Sequence, residues 1–184
     1  MSKETAHQLG TPLSSIMAWV ELLKMKGENM EELTEIEKDI KRLEDITERF
    51  SKIGSPSKLE PQNLVSVLYD SVAYLEPRIS KKVRFHINLP EEDEVIVPLN
   101  TQLFEWVVEN VCKNAVDSMR SSGTININIE EANQHVNIDF EDTGKGIHKS
   151  RFKSIFNPGF TSKKRGWGLL LSLSRRIIVN YHKG

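Results

Sequence analysis

Along the N-terminal part of the chain, apolar side chains recur at steps of three and four: Ala6, Leu9, Leu13, Ile16, Val20 and Leu23. The polar stretch "KGENMEE" interrupts them, and the rhythm restarts with Leu33, Ile36, Ile40, Leu43, Ile46, Phe50 and Ile53. This spacing draws one stripe down an α-helix and is incompatible with the alternation of a strand. Two long helices joined by a short turn make an antiparallel hairpin. Such a hairpin leaves its seam half wet, and no third long helix follows directly. The spacing therefore predicts a four-helix bundle built from two chains, a homodimer. Packing of the seam on the chain's own second module is the alternative.

"GSPSKLEP", residues 54–61, combines glycine, serines and two prolines just past the last heptad position and reads as a linker. This divides the chain into a helical hairpin at 1–53, a linker at 54–61 and a second module at 62–184. In that module "LVSVLYDSVAYLEPRI" has helical spacing, and "KVRFHINLP" and "EVIVPL" read as strands. "TQLFEWVVENVCKNAVDSMR" is a long helix with Thr101 as a candidate N-cap. "GTININIEEA" and "HVNIDFED" alternate as two half-buried strands, and "LLLSLSRRIIVNYH" closes the chain as a helix. The expected fold is an α/β two-layer sandwich, one helical layer over one mixed sheet.

The bulk numbers exclude several classes. A net charge of −1 over 184 residues provides no basic field for nucleic acid or an anionic membrane. One cysteine, Cys112, rules out an internal disulfide framework and multi-cysteine zinc sites, and reads as a small buried apolar residue. No apolar run approaches the ~20 residues of a membrane span, and no signal-peptide core opens the chain.

Four stretches carry chemistry. "HQLGTPL" puts His7 one turn before Gly10 and Pro12, two poor helix residues, as if the helix were softened beside a reactive imidazole. "DTGKGI" follows a strand; Asp142 can accept a hydrogen bond from an exocyclic amine, and Gly144 and Gly146 let backbone approach a flat ligand. In "NVCKNAVD" the amides of Asn110 and Asn114 share one helical face beside Glu109 and Lys113, where their oxygens suit hydrated Mg²⁺ and phosphates. "FNPGFTSKKRGWGLLLS" sets basic residues Lys163, Lys164 and Arg165 before Gly166 and Gly168 at the start of a helix, a phosphate-binding arrangement.

Together these stretches resemble a sensor histidine kinase of two-component signalling over nearly the whole chain. "HQLGTPLSS" is similar to that family's phosphoacceptor box, "NVCKNA" to its asparagine box and "DTGKGI" to its first glycine box. "FNPGF" is similar to its phenylalanine box and "GWGLLLS" to its second glycine box. The resemblance implies a dimeric hairpin carrying the phosphorylated histidine and a Bergerat-type ATP-binding domain that phosphorylates it. It implies His7 as phosphoacceptor, with Gln8 and Thr11 beside it in catalysis. Asn110 becomes the Mg²⁺ ligand supported by Asn114, and Asp142 the adenine contact. Lys113, Thr161, Ser162 and Lys163 lie near the phosphates. Gly144, Gly146, Gly166 and Gly168 shape the pocket, Phe156 and Phe160 belong to a lid, and Asp117 and Leu169 complete the nucleotide-binding set. The implied cofactors are ATP and Mg²⁺. The implied partners are a second copy of the chain and the receiver domain of a response regulator, with no nucleic acid. The implied setting is the cytosolic portion of a longer parent carrying its own sensor and membrane regions.

Three departures from the family pattern matter. Gln8 stands where the family often has an acidic residue, so its carbonyl can fix the imidazole tautomer but supplies no negative charge; slow autophosphorylation is expected. Leu170 stands where a third glycine is usual; it weakens ATP binding if that glycine is needed, and simply packs if position 170 is already helical. The sequence ends at Gly184, where the family normally continues with a further strand or hairpin, so an incomplete sheet edge is expected. Gln8 and Leu170 together keep open a second function, a kinase-impaired or phosphatase-biased scaffold that docks a response regulator, with Thr11 placed to help a hydrolytic water. A chaperone or topoisomerase fragment of the same ATPase superfamily would have no use for the histidine hairpin.

Overall fold

The computed structural model describes residues 16–27, 33–34, 36–37, 40–41, 58–89, 94–133, 135–161 and 168–184. The chain divides into two compact units, Met1–Ser57 and Lys58–Gly184. In the first, helix α1 (residues 16–25) ends in a turn where the Lys26 and Gly27 amides donate to the Leu22, Leu23 and Lys24 carbonyls. The described residues between 33 and 41 are helical and form helix α2. Val20 of α1 and Leu33 and Ile40 of α2 are buried together with Met17 alongside, and Lys24 Nζ pairs with Glu37 Oε1 at 2.5 Å. These contacts close the two arms on each other. Ile16, Leu23 and Ile36, on the same expected seam, remain exposed.

The second unit begins earlier than the composition of the linker indicates. Strand β1 (Glu60–Asn63) takes in Glu60 and Pro61, and pairs antiparallel with β3 (Ile96–Leu99), with Glu60 opposite Leu99. Proline is tolerated there because β1 is an edge strand, with β3 its one neighbour among the described residues. Asn63 ends β1 and caps helix α3 (Leu64–Leu75): its Oδ1 accepts from Val65 N at 3.0 Å and from Val95 N at 3.4 Å, joining helix start to the entry of β3.

Strands β2 (Val83–Asn88), β4 (Gly123–Ala132) and β5 (His135–Asp142) form a separate mixed sheet with β4 at its centre. β2 runs parallel to β4, with Phe85 opposite Ile125, and β5 runs antiparallel, with Asp142 opposite Ile125. The expected single strand layer is thus two hydrogen-bonded sheets among the described residues, because β3 pairs with β1 and leaves β4 between β2 and β5.

One face of β4, Ile125, Ile127 and Ile129, lies 0, 0 and 5% exposed beneath helices α3 and α4 (Thr101–Ser118). Leu64, Leu68 and Leu75 of α3 and Phe104, Val108 and Cys112 of α4 fill the space above it. Each such apolar side chain contributes about 2 kcal/mol by burial. Cys112 is part of this core, and burial pushes its thiol up to about 12. It is inert packing, as its sequence context predicts.

Two helix ends differ from expectation. Asn100, not Thr101, caps α4, its Oδ1 accepting from Leu103 N at 3.0 Å; asparagine is the stronger cap, and its reach selects the third amide. The closing helix is continuous only over α5 (Leu170–Arg176), after which Ile177–His182 widens to a π-helix. That wider turn brings His182 Nδ1 to 3.2 Å from the Ile177 carbonyl, while Nε2 accepts the Asn100 amide at 3.1 Å and the ring meets Phe104 edge-on. His182 thus clasps the end of the chain to the start of α4.

Burial lowers the His182 pKa below the ordinary imidazole value, partly offset by the hydrogen bond of Nδ1 to the Ile177 carbonyl. The Asn100 amide also needs an unprotonated Nε2. A histidine with a lowered folded pKa contributes stability that is complete above the unfolded value of about 6.5 and is lost as pH falls towards the folded one. Unfolding midpoints measured by denaturant between pH 7.5 and 5.5 are expected to fall for the native chain, and to fall less for His182→Gln.

Candidate functional site

Helix α4 carries the two asparagines, and packing fixes which way each faces. Its apolar stripe lies on β4, which turns Asn110 inward against α5. Asn110 is only 2% exposed, and its Nδ2 donates to Ser174 Oγ at 3.4 Å. Ser174 in turn donates to the Leu170 carbonyl at 2.9 Å, within α5. With the amide nitrogen spent on serine, the amide oxygen is the end of Asn110 suited to a hard cation. One turn on, Lys113 Nζ meets Glu109 Oε1 at 2.5 Å. Lys113 is exposed, so this pair is weak enough for a polyphosphate to compete for the ammonium. Asn114 is partly exposed and Asp117 exposed further along the same helix.

The end of α4 is bound to the end of β5. The helix closes through Ser121 N to Val116 O at 2.9 Å and Arg120 N to Asp117 O at 3.2 Å. Arg120 and Ser121 take left-handed φ of 53° and 62°, a conformation costing about 1 kcal/mol for residues with a Cβ. This tight exit sets Ser118 and Met119 against the glycine-rich turn. Ser118 Oγ donates to Asp142 Oδ1 at 2.6 Å, and Gly144 N donates to the same oxygen at 2.8 Å. Thr143 exchanges backbone and side-chain bonds with Thr124, and its Oγ1 donates to Met119 Sδ. Asp142 is exposed, and its Oδ2 has no hydrogen-bond partner among the described residues.

Two glycines answer to this geometry. A Cβ on Gly144 would lie 1.8 Å from Ser118 Oγ and 2.6 Å from Asp142 Oδ1, so a side chain is excluded by crowding. Gly168, at φ +64°, would place a Cβ 2.4 Å from the Gly159 carbonyl carbon, and its own carbonyl accepts from Gly159 N at 3.0 Å. Gly146 takes φ +67° in open space, where its role is conformational.

The described residues between the two glycine turns, 147–161, are held by several contacts. Lys149–Arg151 forms a short 3₁₀ turn capped by His148, Phe156 faces the Arg175 guanidinium at 5.6 Å, and Phe160 is half buried beside Gly168. Thr161 is exposed and Leu169 is half buried. Leu170 opens α5 without a left-handed φ and is partly exposed, so that position is helical and the leucine imposes no backbone strain. His7, Gln8, Thr11, Ser162, Lys163 and Gly166 lie outside the described residues.

The structure therefore brings together the asparagine helix and the first glycine turn through Ser118, the asparagine helix and α5 through Asn110, and the phenylalanine segment and second glycine turn through Gly168. Ser118 and Ser174 are the residues sequence reasoning missed. Ser118 falls one helical turn beyond Asn114, and that periodicity is the only signal that could have found it. Among the described residues no group of three or more His, Cys, Asp or Glu could hold a metal ion. A Mg²⁺ held by one amide oxygen, waters and phosphates needs none.

Two family models match the chain, the first over nearly all of the first unit and the second over the later part of the second unit. Residues 1–56 match the His Kinase A (phospho-acceptor) domain, and residues 100–184 match the histidine kinase-, DNA gyrase B-, and HSP90-like ATPase domain. Sporulation kinase D of Bacillus subtilis (strain 168) is 29% identical over 98% of this chain and 37% of its own length. Sporulation kinase A of the same organism is 30% identical over 97% of this chain and 30% of its own. The AtoS signal transduction histidine-protein kinase of Escherichia coli (strain K12) is likewise 30% identical over 97% of this chain and 30% of its own. The chain thus spans about a third of the length of these curated relatives. Among solved structures, full-length ShkA in complex with AMPPNP superposes with a TM-score of 0.67 at 18% identity, covering 95% of this chain and 39% of that one. The histidine kinase ThkA in complex with response regulator protein TrrA gives 0.64 at 22% identity, covering 96% and 53%. Likeness at this identity speaks to the fold.

The contact between Gly168 and the Gly159–Phe160 backbone carries a direct test. Gly168→Ala combines a left-handed φ with an overlap against backbone that has no rotamer to escape into, and is expected to cost about 2 kcal/mol. Denaturant unfolding of the variant chain measures it.

Proposed function

The chain belongs to the histidine kinase family, and on that premise we propose that it transfers the γ-phosphoryl group of ATP to His7, and from His7 to an aspartate on the receiver domain of a response regulator. One observation carries the reading. The helix bearing Asn110, Lys113 and Asn114 is joined to Asp142 by a 2.6 Å hydrogen bond, so the amine-accepting and phosphate-facing groups share one rigid frame. The AMPPNP bound in ShkA and the response regulator bound to ThkA support the two ligand classes by similarity.

In this reading Asp142 accepts the adenine amine, and Gly144 and Gly168 keep backbone close to the base and phosphates. Lys113, released from Glu109, meets the phosphate oxygens. The oxygen of Asn110, with support from Asn114, would hold Mg²⁺, which when bound supplies charge neutralisation on the phosphates. Neutral His7 attacks the γ-phosphorus in line, the bond to the β–γ bridging oxygen breaks and ADP leaves, while the proton on the other ring nitrogen, held by the Gln8 side-chain carbonyl, is lost to solvent; orientation and electrostatics supply most of the acceleration. The hairpin is the dimerising element, and among the described residues Ile16, Leu23 and Ile36 are the exposed seam positions available to a second copy. Among the described residues no helix is long and apolar enough to cross a membrane, and we place this portion of the protein in the cytosol.

Incubation with γ-labelled ATP and Mg²⁺ is expected to give slow, acid-labile label on the native chain and none on His7→Ala. Supplying an acidic neighbour in Gln8→Glu is expected to raise the rate by about a hundredfold, the lower end of general acid–base contributions. Absence of nucleotide binding by calorimetry would leave the response-regulator scaffold, with phosphatase action through Thr11, as the function.

A further inference from the structure

Asp142 is held in a way that the identity of the aspartate alone does not explain. Both donors that reach it, Ser118 Oγ at 2.6 Å and Gly144 N at 2.8 Å, address the same oxygen, Oδ1. The Gly144 bond is local, two residues along the chain, and rises from the turn itself. The Ser118 bond comes from another element, 24 residues away in sequence, and sets the rotation of the carboxylate relative to the helix. The serine is also matched to its neighbour: a Cβ at position 144 would fall 1.8 Å from Ser118 Oγ, so hydroxyl and glycine occupy one space between them.

We propose that Ser118 is a positioning residue for base specificity, committing Asp142 Oδ1 to the protein and leaving Oδ2 to select a ligand edge that donates a hydrogen. This rests on the reading of Asp142 as the base contact. An ionised carboxylate offers no donor. A 6-amino purine therefore satisfies Oδ2, whereas a 6-oxo purine sets a carbonyl against a carboxylate and leaves both unpaired. The selection is only as sharp as the carboxylate is fixed. Without the serine hydroxyl, one backbone amide remains, and the carboxylate can turn to present either oxygen or draw water between itself and a 6-oxo base. A hydrogen bond from a neutral donor to a charged acceptor is strong enough to restrict that rotation.

The test is calorimetric binding of ATP and of inosine triphosphate to the 184-residue chain, without turnover, for the native protein and for Ser118→Ala, Ser118→Thr, Ser118→Val and Asp142→Asn. Threonine and valine have the same shape and differ in the hydroxyl, so their comparison separates positioning from packing. The expected result is an ATP preference in the native chain that Ser118→Thr retains. Ser118→Ala and Ser118→Val are expected to lose about tenfold in ATP affinity while keeping their affinity for inosine triphosphate. Equal ATP affinity and equal preference in the threonine and valine variants, with ATP binding lost in Asp142→Asn, would overturn the role of Ser118 and leave the base contact standing. Unchanged ATP binding in Asp142→Asn would overturn the base contact itself, and the proposal with it.

Discussion

The exclusion of Ile125, Ile127 and Ile129 from water beneath α3 and α4 is the constraint on which the rest of the second unit depends. Strand side chains alternate, so a slip of one residue in β4 would expose all three and bury Asn126 and Asn128 in their place. That penalty pins β4, and β4 pins its neighbours. Asp142 lies opposite Ile125 because the register of the β4–β5 pair allows nothing else. The same isoleucines fix how α4 lies across the sheet. Asp142 and the asparagine helix thus meet as a consequence of apolar packing of that helix on the same face of the sheet.

Polar bonds then refine what packing places. Ser118, at the end of α4, and Gly144, just beyond β5, both donate to Asp142, while Asn110 ties the middle of α4 to α5 through Ser174. Each of these bonds joins segments far apart in sequence or closes a turn too tight for a side chain. The left-handed residues Arg120 and Ser121 are held by the same network, since only a sharp exit from α4 brings Ser118 and Met119 up to Asp142 and Thr143. His182 acts similarly at the opposite end of α4, linking the last turn of the chain to the Asn100 cap. Helix α4 is therefore clasped at its start, its middle and its end.

What was legible in the sequence follows the reach of each force. β4 and β5 run over the stretches that alternation marks out, because period-two patterning is set by one buried face and needs no distant knowledge. Position 142 is marked by its box. The start of β1 was hidden, because Glu60 and Pro61 become strand only through β3, far along the chain, whereas "GSPSKLEP" by composition is a linker. Asn100 and Thr101 are both competent caps, and only the hydrogen bond to Leu103 separates them. Helical periodicity cannot register a π-turn, and so Ile177–His182 has the sequence pattern of ordinary helix although its turns widen where His182 reaches Asn100. Ser118 was invisible for a related reason: its meaning lies in an oxygen contributed by another element.

One nucleotide site made by the asparagine helix, the two glycine turns and the phenylalanine segment has a spectroscopic signature. Backbone amide shifts on titration with a non-hydrolysable ATP analogue and Mg²⁺ read it most directly. Changes are expected only at residues around 110–118, 142–146 and 159–174, with the polar outer face of the sheet at Arg84, His86, Asn128 and Asp139 unmoved. Changes centred on that outer face, or saturable binding that leaves Asp142 and Gly144 unperturbed, would contradict it.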